Sequence, residues 1–201
     1  MDELDPQTPA VQPTPARQEA LAFVWEVVKV IIISLAIIVP IRYYLVQPFF
    51  VKGASMEPTF DDGNYILIDE ISYRFRDPER GDIVVFRYPQ DPSQFFIKRV
   101  IALPGETLEV KANQITIYSR TRQNGLVLDE TGYLSPQQQT IGSFKLHLDD
   151  NDYFVLGDNR LRSSDSRIWG AVNRSLITGR VFFRAFPLHQ AGSFPEVNYQ
   201  E

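Results

Sequence analysis

Cysteine is absent from this chain of 201 residues. Disulfides, thiol nucleophiles and thiolate metal sites are therefore excluded, while a location outside the cytosol stays compatible. Histidine is nearly absent: only His147 and His189 occur, and neither stands in a recognisable triad motif, so a Ser-His-Asp enzyme has no support here. Positive charge is not in excess either. Lys and Arg total 20 against 25 Asp and Glu, a net charge of −5, and no basic patch stands out, which argues against a nucleic-acid partner. The chain also lacks internal repeats and, beyond its first 19 residues, any low-complexity tract.

What is present suits one compact domain with an appendage, because 44% hydrophobic and 12% aromatic residues supply a core. Residues 1–19, with Pro6, Pro9, Pro13 and Pro15 among Gln and Thr, read as a disordered tail. Residues 20–42 hold an apolar run from Leu21 to Ile41, close to the ~20 residues that span a bilayer, and read as a transmembrane anchor. Glu26 and Lys29 can pair at i, i+3 near the headgroups, with Trp25 at the interface. A cleavable signal peptide is rejected. The preceding region is acidic, with Asp2, Glu3, Asp5 and Glu19 against Arg17, and no Ala-x-Ala site follows before Gln47. Arg17 and Arg42 flank opposite ends, so charge does not set the orientation.

Residues 43–201 read as β-rich. Short runs of Ile, Val, Phe and Tyr at 64–71, 82–88, 95–103, 107–111, 114–119, 143–148, 152–156 and 177–185 are separated by Gly, Pro, Asp and Asn. Leu108 and Val110, then Ala112-Asn113, then Ile115 and Ile117 predict a hairpin. The stretch 125–140 reads as a loop or a weak pair of strands.

Two side chains stand out chemically. Ser55, between Gly53 and Pro58, sits where a tight bend is favoured; taken alone, a turn serine bonded to backbone explains it. Ser-x-x-Lys fails at Pro58, and Gly-x-Ser-x-Gly fails at Glu57. Lys98 lies in a strand with two apolar faces: Phe96 and Val100 share its face, while Phe95, Ile97 and Ile101 share that of Arg99. Alternation does not choose between the two cations, but a guanidinium cannot act as a base and a buried ammonium can. Its pKa would have to fall by about 2 to 3 units, a cost of roughly 3 to 4 kcal/mol. A surface Lys-Arg pair on an edge strand is the plain alternative. The block 157–170 is dense in Asp, Asn, Arg and Ser that can pair and fix a loop, and Asp149-Asp150-Asn151-Asp152 is acidic. Neither has EF-hand spacing, so no metal is expected.

Four blocks occur in order: Ser55-Met56-Glu57-Pro58-Thr59, Arg80-Gly81-Asp82-Ile83-Val84-Val85-Phe86, residues 98–106, and residues 157–170. With the apolar segment ahead of them they resemble the type I signal peptidases, membrane-bound Ser-Lys proteases that remove signal peptides from exported proteins, over most of the chain. The resemblance implies a mainly β, signal-peptidase-like catalytic domain preceded by one N-terminal transmembrane helix. That domain would lie on the extracytoplasmic side of the plasma or another energy-transducing membrane. It further implies Ser55 as nucleophile, neutral Lys98 as general base, and Ser163 as the hydroxyl orienting the amine. Asp158, Asp165 and Arg167 would hold the geometry, and the main-chain N–H of Ser55 would face the oxyanion. Some family members carry serine two positions before the nucleophile, where this chain has Gly53.

Substrate would lie as an added strand, with shallow pockets for small residues at −1 and −3. Phe50, Val51, Met56, Phe96 and Ile97 are candidates to line them, and Phe49 and Phe60 either line the cleft, dip into lipid or pack in the core. Ser55 follows Ile41 by about 14 residues, at most about 50 Å of chain, so the site works near the membrane. The expected partners are signal peptides and membrane lipid, with no nucleic acid, no cofactor and a monomeric state. Two other classes remain. A self-cleaving repressor-like Ser-Lys regulator requires a DNA-binding domain where this chain has its apolar segment. A non-catalytic anchored β-domain would bind a partner through its aromatic surface, and a preprotein cleavage assay separates all three.

Overall fold

The computed structural model describes residues 16–40, 46–194, 197 and 199, in two compact units divided between Arg42 and Tyr43. In the first unit, helix α1 (Ala16–Pro40) starts four residues before the expected anchor; tail residues 1–15 and the connector 41–45 fall outside the described residues. Its stretch Glu19–Val39 is long and apolar enough to cross a membrane, at about 1.5 Å per residue a length of about 30 Å. Trp25, Val30, Ile33 and Ile38 are all exposed, and a helix apolar on every side is suited to lipid, not water. Lys29 Nζ stands 2.6 Å from Glu26 Oε1, the expected pairing.

The second unit is built of antiparallel strands. They are β1 (Val46–Phe50), β2 (Tyr65–Asp69), β3 (Ile83–Tyr88), β4 (Asp91–Ala102), β5 (Thr107–Lys111), β6 (Gln114–Tyr118), β7 (Leu126–Val127), β8 (Phe144–His147), β9 (Asp152–Leu156), β10 (Val172–Asn173), β11 (Ile177–Phe186) and β12 (Gly192–Ser193). The larger sheet runs β1-β2-β11-β3-β4-β9-β10, with β12 paired to β11; the smaller runs β7-β6-β5-β8. The predicted hairpin is β5–β6. Ala112 and Asn113 both take positive φ, 49° and 62°, as a two-residue turn matched to strand twist requires, and Leu108 faces Ile117 while Val110 faces Ile115.

Strand β3 is buried on both faces, which explains its unbroken Ile83-Val84-Val85-Phe86 run. Ile83 and Val85 join a cluster with Met56, Phe60, Ile66 and Ile68; Val84 and Phe86 join another with Val100, Tyr153 and Val155. Strand β4 lies beside it in register Val84↔Lys98 and Ile83↔Arg99. Directly opposed residues share a face, so Lys98 and Arg99 are sent to opposite sides of a buried sheet. Strand β9 joins β4 only from Arg99 onward. Among the described residues the edge of β4 before that point is unpaired, as is the outer edge of β1.

Candidate active site

Residues 51–60 leave β1 and form a turn rather than a strand. Val51 N–H donates to Asn64 O, Gly53 N–H to Asp62 Oδ1 at 2.6 Å, and Phe60 N–H to Met56 O, which fixes both ends of the bend. Gly53 has φ +85°, a conformation open to glycine and strained for serine, so a backbone requirement explains the departure at this position. Its N–H is committed to Asp62. The N–H of Ser55 donates to no group among the described residues.

The block after β9 grips this turn from the far side. Asn159 N–H donates to Ser55 O at 3.1 Å and Asn159 Nδ2 to Ala54 O at 2.9 Å, while Thr59 Oγ1 donates to Asp158 Oδ2 at 2.5 Å. Gly157 allows the approach: a Cβ there would stand 2.4 Å from Ser55 O and 2.2 Å from Ser163 Oγ. The result is that Lys98 Nζ, carried in on β4, lies 2.9 Å from Ser55 Oγ and donates to Ile97 O at 2.8 Å.

Electrostatics decide what that contact can do. Lys98 is 3% exposed, and burial lowers its pKa from 10.5 to about 8; the nearby carboxylates of Asp165 and Asp158 oppose the fall. Both carboxylates are wholly buried and matched by arginine. Arg99 donates to Asp158 at 2.8 and 2.7 Å, and Arg167 donates to Asp165 at 2.8 Å, with a further bond from Gly157 N–H. An amine half neutral near pH 8, beside a hydroxyl, can take that hydroxyl's proton.

Arg99 is as buried as Lys98, so the ambiguity left by the alternating pattern is resolved by partners. Its guanidinium meets Asp158 and lies 4.0 Å over the Tyr133 ring, with its pKa raised despite burial. Tyr133 OH in turn donates to Glu130, whose carboxylate pairs with the fully buried Arg160; Arg160 also donates to Gly157 O and to Thr140. None of Arg99, Thr59, Asn159, Arg160, Glu130 or Tyr133 was assigned a site role from sequence. Arg99, Thr59, Asn159 and Arg160 lie inside the recognised blocks, but Glu130 and Tyr133 lie in the stretch 125–140, which carries no such signal.

Ser163 Oγ is buried beside Gly157 and forms no hydrogen bond. Phe50, Val51, Phe96 and Ile97 line a cleft of about 670 Å³ that also contains Ser55 and Lys98. Met56 is not on its surface. It is fully buried under the turn in the cluster with Val51 and Phe60, so it shapes the cleft from below. Phe60 belongs to the same core, whereas Phe49 lines the cleft. His147 is exposed on β8 and His189 is exposed near the C-terminal end of the chain; neither lines the cleft. No cluster of His, Cys, Asp and Glu suited to a metal occurs among the described residues.

Residues 24–186 match the family model described as signal peptidase, peptidase S26. Signal peptidase I of Leptolyngbya laminosa is 37% identical over 198 residues, covering 95% of this chain and 94% of that protein. Probable signal peptidase I-1 of Synechocystis sp. is 36% identical over 182 residues, covering 86% of this chain and 89% of that one. A crystal structure of a signal peptidase I from Enterococcus faecalis is similar at 33% identity and a TM-score of 0.43, covering 52% of this chain and 97% of that chain.

Proposed function

The chain belongs to the signal peptidase family as a type I signal peptidase, a serine peptidase that removes signal peptides, and on that footing we propose that Ser55 is its nucleophile and neutral Lys98 its general base. The observation that carries the assignment is the 2.9 Å contact between Ser55 Oγ and a buried amine whose pKa lies at about 8. As Oγ attacks the carbonyl carbon at −1, Nζ takes its proton. The oxyanion forms within reach of the Ser55 N–H, the C–N bond breaks, and the ammonium returns the proton to the leaving amine. Water, deprotonated by Lys98, then attacks the acyl carbon, the ester bond to Oγ breaks, the ammonium returns the proton to Oγ, and the signal peptide leaves with a free carboxyl group. Asp158, Asp165 and Arg167 hold the amine's surroundings in place. Ser163 is assigned the orienting of Nζ on the strength of the family resemblance alone, since its buried hydroxyl makes no hydrogen bond to the amine in this structure.

The substrate lies extended along the unpaired edge of β4, where residues 94–98 form one wall of the cleft and residues 49–55 the other. Small residues at −1 and −3 let the backbone reach Ser55 between Phe96 and Val51. The catalytic unit works on the extracytoplasmic side, with α1 as a single-pass anchor. Purified protein incubated in detergent with a preprotein, and the cut located by mass spectrometry, tests the reading; a cut elsewhere than after the small-residue site rejects it.

Two further results are expected. Gly157→Ala places a Cβ against the Ser55 carbonyl, a main-chain atom that cannot swing aside. It should displace the turn, lowering kcat at least about tenfold and stability by about 1 to 3 kcal/mol, read from turnover and urea denaturation. A chain starting at Val46 is expected to fold as a β-rich unit and to cut soluble signal-peptide analogues in detergent, since the anchor supplies location rather than chemistry. Loss of the β signal in circular dichroism on removing residues 1–45 would instead make α1 part of the catalytic fold.

A further inference from the structure

The charge in the cleft is of one sign. Lys52, Lys98 and Arg162 are the charged residues that line it, with no acid among the lining residues, in a protein whose net charge is −5. Lys98 has its role above. Arg162 does not: it is exposed, and its guanidinium has no hydrogen bond or ion pair among the described residues, whereas Arg99, Arg160 and Arg167 are each locked to a carboxylate.

Arg162 also has a defined place along the cleft. Its N–H donates to Asn159 O at 3.0 Å, and Asn159 is bonded to the Ser55 turn, so the loop carrying Arg162 is held at the Ser55–Lys98 end. The apolar stretch of the cleft includes Phe49 and Phe95, whose rings meet at 5.2 Å; Phe95 precedes Lys98 by three residues, about 10 Å along a strand. A substrate whose −1 and −3 residues cover the apolar stretch therefore leaves past Arg162. Its basic n-region lies beyond an apolar segment of about 7 to 15 residues, so the groups that meet Arg162 belong to the first residues after the cut.

We propose that Arg162 reads charge on the departing side of the scissile bond, favouring preproteins with an acidic side chain at +1 or +2 and disfavouring basic ones. This rests on the Ser55–Lys98 reading, with the apolar stretch of the cleft taking −1 and −3. An exposed cation is worth up to about a fivefold preference for a carboxylate over its amide, and salt weakens it.

The test uses three matched preproteins, identical except for Glu, Gln or Lys at both +1 and +2, with the full-length protein in detergent. Wild type is expected to show kcat/KM for Glu about three- to fivefold above Gln and about tenfold above Lys at low salt, converging as salt is raised. Arg162→Ala should bring the Glu-to-Lys ratio within about twofold of one, and Arg162→Glu should reverse it. Each ratio is taken on one preparation, so a loss of folded protein cancels. A wild-type ratio near one overturns the proposal whatever the variants do, and a collapse caused by Lys52→Ala instead moves the role off Arg162. Flat ratios with Ser55-dependent cleavage of the Gln substrate refute the charge inference alone. Failure of wild type to cut that substrate at its small-residue site removes both readings.

Discussion

Ser55→Ala is expected to lower preprotein cleavage by at least about a thousandfold while leaving the fold intact. Among the described residues Ser55 Oγ is the side-chain hydroxyl bonded to Lys98 Nζ, and Ser163 Oγ is buried against Gly157 without a hydrogen bond. Losses of this size are what removal of a covalent nucleophile produces elsewhere. The fold should hold because the turn is kept by main-chain and Asp158, Asn159 and Thr59 contacts, none of which uses the Ser55 hydroxyl. The checks are turnover against the purified variant, with circular dichroism and urea denaturation as controls. Activity within about tenfold of wild type would remove Ser55 from the mechanism.

Lys98→Arg is expected to be nearly as inactive as Lys98→Met, because a guanidinium keeps the charge and lacks the lone pair. In wild type, kcat/KM should rise about tenfold per pH unit below pH 8 and level off above it, since the amine is the active form and burial sets its pKa at about 8. His147→Ala and His189→Ala should stay within a few fold of wild type with the same ascending limb. Inactivity of either with the fold intact would reject Lys98 as the base. The same residue makes a claim on stability. Between the folded value of about 8 and the reference 10.5, the unfolded chain binds the proton that the folded chain has released, so stability from this group rises with pH across that window. Below it the folded protein carries a buried charge. Lys98→Met should therefore be more stable at pH 7 by on the order of 3 kcal/mol, measurable by urea denaturation.

Legibility in the sequence followed the physics of each element. Strands with a buried face, such as Leu108 and Val110 or Ile115 and Ile117, announce themselves by alternation, and the Ala112-Asn113 turn by its tolerance of positive φ. Strand β1 did not, because Pro48 demotes a strand pattern; an edge strand can carry it. Strands β7, β10 and β12 are two residues each, too short for any period. The helix α2 (Ser166–Trp169), capped by Asp165 accepting from Arg167 N–H, hid inside a block read as loop. Ser55 and Lys98 stand out because their neighbourhoods are distinctive in sequence, and the structure brings the two side chains into contact. The pairing of Arg99 with Asp158, 59 residues apart, and the Tyr133–Glu130–Arg160 support were not, since such contacts exist only once the sheet closes.

On the proposed mechanism, strand β4 places side by side two cations with incompatible duties: Lys98 must be able to lose its proton, and Arg99 must never do so. What separates them is the pleat alone, in the pairing Val84↔Lys98 and Ile83↔Arg99. A slip by one residue would turn the amine to the other face and present Ser55, depending on its direction, with Arg99, a permanent cation, or with Ile97, which has no side-chain nitrogen. The parity of the residue count along β4 is thus a chemical variable. One residue added or lost between Phe95 and Ile97, with the register before it kept, turns the amine away from Ser55, while a pair leaves the faces as they were. The irregularities in pairing, between Asp91 and Phe95 opposite Arg87/Tyr88 and again between Val100 and Ala102, fall on either side of the regular stretch Phe95–Arg99, and there odd lengths can be absorbed without changing which nitrogen meets the hydroxyl.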